Sequence, residues 1–208
     1  MTAFARWVRP AVLTLGLLAT AGCGALGAVE QAAAPLDAFT LAAITPTEAR
    51  QSGLHIIVEP TEATGALTTD RILIKPNALQ AQYLPAGRWT DPAPDLVRIL
   101  LVASLQNSGG FLRVGRDGAG LLPDYTVLSD LQDFQAEPET DGSLTWKVRV
   151  SMSISLVRES DRTLVASRQF EATAPAATDN TIELVNAFQV AMSAVLAEQV
   201  DWILSQTR

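Results

Sequence analysis

The 208 residues carry 15 basic and 22 acidic side chains, a formal net charge of −7, with one histidine and one cysteine among them. A chain this acidic, with no basic stripe interleaved with aromatics, repels nucleic acid and anionic headgroups, which excludes DNA and RNA binding. A single histidine and a single cysteine leave no Cys/His metal set and no internal disulfide, and the chain has no G-x-S-x-G elbow to set a serine against that histidine.

The chain begins MTAFARWVRPAVLTLGLLATAGCGA. Arg6 and Arg9 make a basic start, Ala11 to Leu18 form a short apolar run, and Ala19, Thr20, Ala21 and Gly22 lead to Cys23. That order predicts a secretory signal peptide over 1–22, its apolar run too short for the ~20 residues of a membrane-spanning helix. A cysteine after Ala-Gly is the residue that a bacterial lipoprotein pathway acylates, cleaving the bond in front of it. Thr20 departs from the leucine preferred three positions before that cysteine. Acyl chains such as palmitate, at ~0.8 kcal/mol per buried CH₂, would anchor Cys23 to a membrane without a spanning helix. Gly24 rather than Asp follows, so nothing marks the protein for the inner membrane, and the outer membrane is the expectation. Losing residues 1–22 removes two arginines, leaving 13 basic against 22 acidic residues and a balance of −9. Residues 24–36, GALGAVEQAAAPL, are small and read as a flexible tether, so 23–36 is the lipidated tether and 37–208 one folded domain.

Apolar runs bounded by Pro and Gly predict strands at 37–44, 54–60, 70–76 and 78–85. A helix is predicted over 92–108, with Asp91 as its cap, Pro92 or Pro94 in its first turn and Gly109-Gly110 ending it. A short strand follows at 111–114. From Leu144 to Leu156 apolar and polar residues alternate strictly, the pattern of a strand with one face in the core and one in water. Its neighbours at 124–137 and 163–174 complete a meander around the Asp141-Gly142 turn. A closing helix over 180–205 shows an apolar stripe, and Asn180 with Glu183 resembles a capping box. The expectation is an α+β domain: a mostly antiparallel sheet with two helices packed on one face.

Chemistry is hard to find. His55 sits in a strand and reads as a surface or half-buried residue. The glycine-rich GRDGAG at 115–120 follows a strand but precedes no helix, so it lacks the context of a phosphate loop and reads as a connection. Carboxylates at 130, 133, 137 and 139 lie in polar strand edges. No enzyme and no cofactor are expected.

One stretch stands out, YLPAGRWTDPAPDLVRILL at 83–101. Tyr83, Arg88 and Trp89, followed by Asp91-Pro92, Pro94 and Leu96, are similar to an element of the ABC-type transport auxiliary lipoprotein family (paraquat-inducible protein C-like). Phe39-Thr40-Leu41, Asp70-Arg71 before an apolar strand, and a last helix with Trp202 near its end also resemble it, over about residues 23–205. The resemblance implies a non-enzymatic periplasmic lipoprotein working with ABC transporter subunits and a substrate-binding protein of the mammalian-cell-entry type. Such systems move lipids or other hydrophobic molecules between membranes, with the lipoprotein docking or tethering at the outer-membrane end. A homo-oligomer is compatible with it. Tyr, Arg and Trp are the residues that anchor interfaces, so Tyr83, Arg88 and Trp89 form the candidate partner site. On the alternative reading, Trp89 packs under the first helix as a plug of the sheet–helix corner and Arg88 pairs with Asp91 or Asp95; combining the two, Trp89 plugs that junction while Arg88 and Tyr83 face outward. A lipid-binding carrier with its cavity between sheet and helices, or an outer-membrane assembly factor, are the rival functions.

Overall fold

The structure, a computed structural model, describes residues 35–46, 51–116, 120, 122–139 and 145–207. The signal peptide, Cys23, most of the tether, the Asp141-Gly142 turn and the centre of GRDGAG lie outside them. In chain order the elements are β1 (Asp37–Phe39), β2 (His55–Val58), β3 (Glu62–Ala63), a 3-10 turn (Gly65–Leu67), β4 (Arg71–Asn77), β5 (Gln80–Trp89), α1 (Ala93–Asn107), β6 (Arg113–Gly115), β7 (Tyr125–Pro138), β8 (Trp146–Arg158), β9 (Thr163–Ala176) and α2 (Thr181–Gln206).

β7 organises the sheet. On one side it pairs antiparallel with β8 along its whole length, from Tyr125↔Arg158 to Pro138↔Trp146. On the other side β2, β3 and β4 pair with it in succession, all parallel. β9 continues the meander beyond β8, and β5 and then β1 extend the sheet beyond β4. The fold is α+β as expected, but the sheet is mixed. Its long pairings are antiparallel, and the short parallel ones arise because β2 to β4 and β7 are separated by α1, the long connection that parallel neighbours require.

Val148, Val150, Met152, Ile154 and Leu156 are all wholly buried on the inner face of β8. The outer row departs from expectation at Ser151, which is only 1% exposed. Gln169 Nε2 donates to its hydroxyl at 3.0 Å, and that hydroxyl lies 3.4 Å from Gln132 Oε1, so two glutamines roof it. Gln132 reaches this position because β7 bulges between Leu131 and Asp133.

Both helices pack on the inner face and touch each other, α2 over β8 and β9, and α1 beside β6. The predicted cap of α1 is corrected. Pro92 holds the N-cap position without a side-chain bond, Asp91 accepts from the Thr90 hydroxyl instead, and the Ala93 N–H finds the Thr69 carbonyl at 3.1 Å. Gly109, at φ +64°, ends α1 in the left-handed conformation that glycine tolerates best. At α2, Asn180 caps Ile182 N–H as expected, while Glu183 reaches Thr178 rather than Asn180. The strand predicted over 37–44 stops at Phe39. Beyond it the chain crosses the helices, where Gln189 of α2 bonds both the N–H and the C=O of Ala42, and Ser104 and Asn107 of α1 hold Ile44.

Candidate functional site

The stretch from Tyr83 to Trp89 is the second half of β5, and its shape is set by a register shift. Arg71 and Leu73, two residues apart on β4, face Arg88 and Tyr83, five residues apart on β5. Residues two apart on a strand share a face, so Tyr83 and Arg88 share one too, brought together by the extra residues between them. Gly87 lies in that bulge. A Cβ there would meet Thr181 Cγ2 at 2.9 Å, Phe39 Cε2 at 3.0 Å and Ile72 Cδ1 at 3.3 Å, so the close approach of β1 and the start of α2 requires glycine.

Trp89 points to the opposite side and is 0% exposed. Its ring lies 5.4 Å from Phe134 of β7 and 5.1 Å, edge-on, from Phe188 of α2; those two rings are 4.8 Å apart. Three elements are therefore joined through one aromatic cluster, geometry that adds about 0.5–1.5 kcal/mol per pair beyond area burial. The Trp89 N–H of the backbone is fixed by the Asp70 carbonyl at 2.6 Å. Its indole Nε1 is buried and finds no hydrogen-bond partner among the described residues. Trp89 thus supports the site from beneath and offers no contact surface, the plug of the alternative reading.

On the outer side the structure assembles a small cationic corner. Arg88 pairs with Asp70 at 3.2 Å, not with Asp91 or Asp95, and both side chains remain more than a third exposed. Arg71 lies beside it, its guanidinium over the Tyr83 ring at 5.7 Å and donating to the Leu84 carbonyl at 3.0 Å. Tyr83 is 38% exposed and its hydroxyl donates to the Ala66 carbonyl in the 3-10 turn. Arg71 is the member that sequence reasoning missed as a contact. It was visible only as the residue after Asp70, and its place opposite Arg88 depends on the hairpin register.

Near the Trp146 end of β8 the charged side chains of the outer face are joined to one another. Lys147 contacts Glu137 at 3.8 Å and Glu139 at 3.0 Å, and Arg149 contacts Glu137 at 3.3 Å and also Glu171. Burial alone would lower the pKa of Arg149, but Glu137, Glu171 and Asp133 outweigh it and hold the pKa above its ordinary value. His55 is half-buried, and it is its backbone N–H that binds the Asp124 carboxylate, at 2.7 Å. Among the described residues no three His, Cys, Asp or Glu side chains could hold a metal ion.

The family model of the ABC-type transport auxiliary lipoprotein component matches residues 39–200. The chain belongs to this family. No curated protein matches it in sequence. Among solved structures, a protein from Xanthomonas campestris shares 26% identity with it, with a TM-score of 0.75 over 84% of this chain and 97% of that one. An uncharacterized protein at 18% identity shares the fold, with a TM-score of 0.62 over 84% of this chain and 100% of that one. The auxiliary lipoprotein is a non-enzymatic component of ABC-type transport. In this member of the family the Arg-Trp element divides its work, Trp89 inward and Arg88 outward.

Proposed function

We propose that this lipoprotein, attached through Cys23 to the periplasmic face of the outer membrane, docks a mammalian-cell-entry-type substrate-binding protein and its ABC transporter. The system would move lipids or other hydrophobic molecules between membranes. The observation that carries the docking surface is the outer corner: Tyr83, Arg71 and Arg88, types enriched at interface hot spots, stand together half-exposed on the paired strands β4 and β5, backed by the Trp89 cluster. Arg88 has a single half-exposed partner, Asp70, whereas Lys147 and Arg149 elsewhere on the outer side each contact two carboxylates.

The carrier reading finds less support. A carrier needs a cavity, commonly 300–1,000 Å³ for a small ligand, whereas the layer between sheet and helices is filled by Trp89, Phe134, Phe188, Met152 and Leu196, none more than 1% exposed.

Affinity purification of the full-length protein from solubilised membranes of its host tests the proposal. The expected result is retention of a mammalian-cell-entry protein together with a transporter ATPase or permease, lost in part in Arg88→Ala and Tyr83→Ala. Retention of an outer-membrane barrel protein instead would favour the assembly-factor reading and overturn this one.

A further inference from the structure

Two arginines face each other across the β4–β5 hairpin, Arg71 being the register partner of Arg88. Directly opposed residues of an antiparallel pair share a face with their Cβ atoms about 4.5–5.5 Å apart, and like charges at that spacing destabilise the pair. Asp70 supplies one carboxylate for the two, and its contact is with Arg88, at 3.2 Å. Among the described residues no carboxylate lies within ion-pair distance of Arg71.

That sets Arg71 apart. Every other half-buried lysine or arginine of the described residues meets a carboxylate, save Arg98, whose guanidinium donates to the carbonyls of Val58 and Arg116. Arg71 donates one hydrogen bond, to the Leu84 carbonyl, and its Nε is buried without a partner. A guanidinium offers several N–H donors, so most of this one's capacity is unused. The group is also held in place. It lies over the Tyr83 ring, 5.7 Å from the centroid, and the Tyr83 hydroxyl is itself tied to the 3-10 turn. A cation fixed in this way has lost rotamer freedom before a partner arrives, which lowers the cost of binding.

We propose that Arg71 and Arg88 receive an aspartate or glutamate side chain of the docked mammalian-cell-entry-type protein, seated beside Tyr83. This rests on the reading of the corner as the docking surface. The incoming carboxylate relieves the repulsion between the two guanidiniums and brings a group of two cations and one anion to neutrality. The corner stands on open strand surface, which a side chain of a neighbouring protein reaches without its chain end being buried. The chain as a whole is acidic, but charges more than about 8 Å away are largely screened at physiological ionic strength. A carboxylate that arrives here therefore meets Arg71, Arg88 and Asp70 before any other charge.

The test uses the full-length lipoprotein captured with its mammalian-cell-entry-type protein from detergent-solubilised membranes of the host. Arg71→Gln should weaken capture about ten-fold and flatten its dependence on salt between about 50 and 500 mM. Arg113→Gln, exposed on β6 at the opposite end of the strand order, makes the same change in net charge and should leave capture unchanged. In Arg71→Lys, a water-soluble carbodiimide should join the introduced amine to the partner. Peptide mass spectrometry should place that new cross-link on an aspartate or glutamate side chain. Capture by Arg71→Gln within about two-fold of the parent, or equal losses in Arg71→Gln and Arg113→Gln, overturns the inference, while docking is still decided by Arg88→Ala and Tyr83→Ala. A cross-link only to carboxylates of the lipoprotein itself or to a chain end, or none at all, overturns it too. Should Arg71→Gln melt early, the coupling in Arg71→Lys decides alone. Failure of the parent to capture the mammalian-cell-entry-type protein overturns the docking reading and this inference together.

Discussion

The inner and outer faces of the sheet are built on the same strands and are closed by different forces. On the inner face, Val148 to Leu156 of β8 and the Trp89–Phe134–Phe188 cluster remove apolar area from water, at roughly 25 cal/mol per Å². On the outer face, hydrogen bonds among Gln132, Ser151 and Gln169, and ion pairs among Lys147, Arg149, Glu137 and Glu171, close the surface with polar groups. Exposed ion pairs contribute about 0–1 kcal/mol each, so the outer layer adds little stability. What it does is occupy its own side chains. A strand position can therefore be polar and still meet little water, as Ser151 does, while Leu128, Glu171 and the Tyr83 corner on the outer side stay open.

The difference between the faces predicts a ladder of effects. Val150→Asp places an unpaired carboxylate among residues at 0% exposure and should unfold the domain, a loss above about 4 kcal/mol, seen as absent cooperative melting. Trp89→Ala should cost about 3–5 kcal/mol, read from the urea midpoint. Trp89→Phe should cost clearly less, because it keeps a ring between Phe134 and Phe188 and removes an indole N–H that has no described partner. Equal losses from Ala and Phe would mean that an unseen bond to Nε1, and not the packing, holds this corner.

Two smaller effects sharpen the contrast. Gly87→Ala drives a methyl against Thr181 and Phe39 and should cost about 1–3 kcal/mol, despite lying beside exposed residues. Ser151→Asp should cost about 1–3 kcal/mol, since the carboxylate displaces the glutamine roof, whereas Ser155→Asp should stay within about 0.5 kcal/mol. If the two serine variants melt alike, the roof is open in solution and the outer face meets water after all.

The legible part of the fold follows the same division. Strict alternation from Leu144 announced β8, its inner row and its neighbours, and helical spacing announced α1 and α2, because period alone fixes those faces. The parallel pairing of β2, β3 and β4 with β7 left no local mark, since it is decided by which distant strands meet. Ser151 looked solvated because its own identity says nothing of Gln132, displaced by a bulge, or of Gln169 on the next strand. At the corner, Tyr83, Arg88 and Trp89 were legible as residue types. The inward turn of Trp89 was one of the readings the sequence left open, whereas the place of Arg71 in the outer group depends on the register shift around Gly87, which only the hairpin pairing reveals.

The smallest expected effect on stability is at the corner itself, and there the decisive measurement is binding. Arg88 and Asp70 form a half-exposed pair, so Arg88→Ala should lower stability by no more than about 1 kcal/mol. Tyr83→Ala loses a half-exposed ring and one hydroxyl bond and should also leave the fold intact. Both should weaken capture of the transporter complex by about 1–2 kcal/mol, between five- and thirty-fold. Asp70→Ala separates the two ways this could arise. Its backbone carbonyl, which fixes Trp89, is unchanged, while the guanidinium of Arg88 is released. If Arg88 meets the partner directly, Asp70→Ala should bind as well as the parent or better, because no ion pair has to be broken. If Arg88 serves only to pair with Asp70, the two alanine variants should fail alike, and the corner would be a structural element whose exposure has no role in docking.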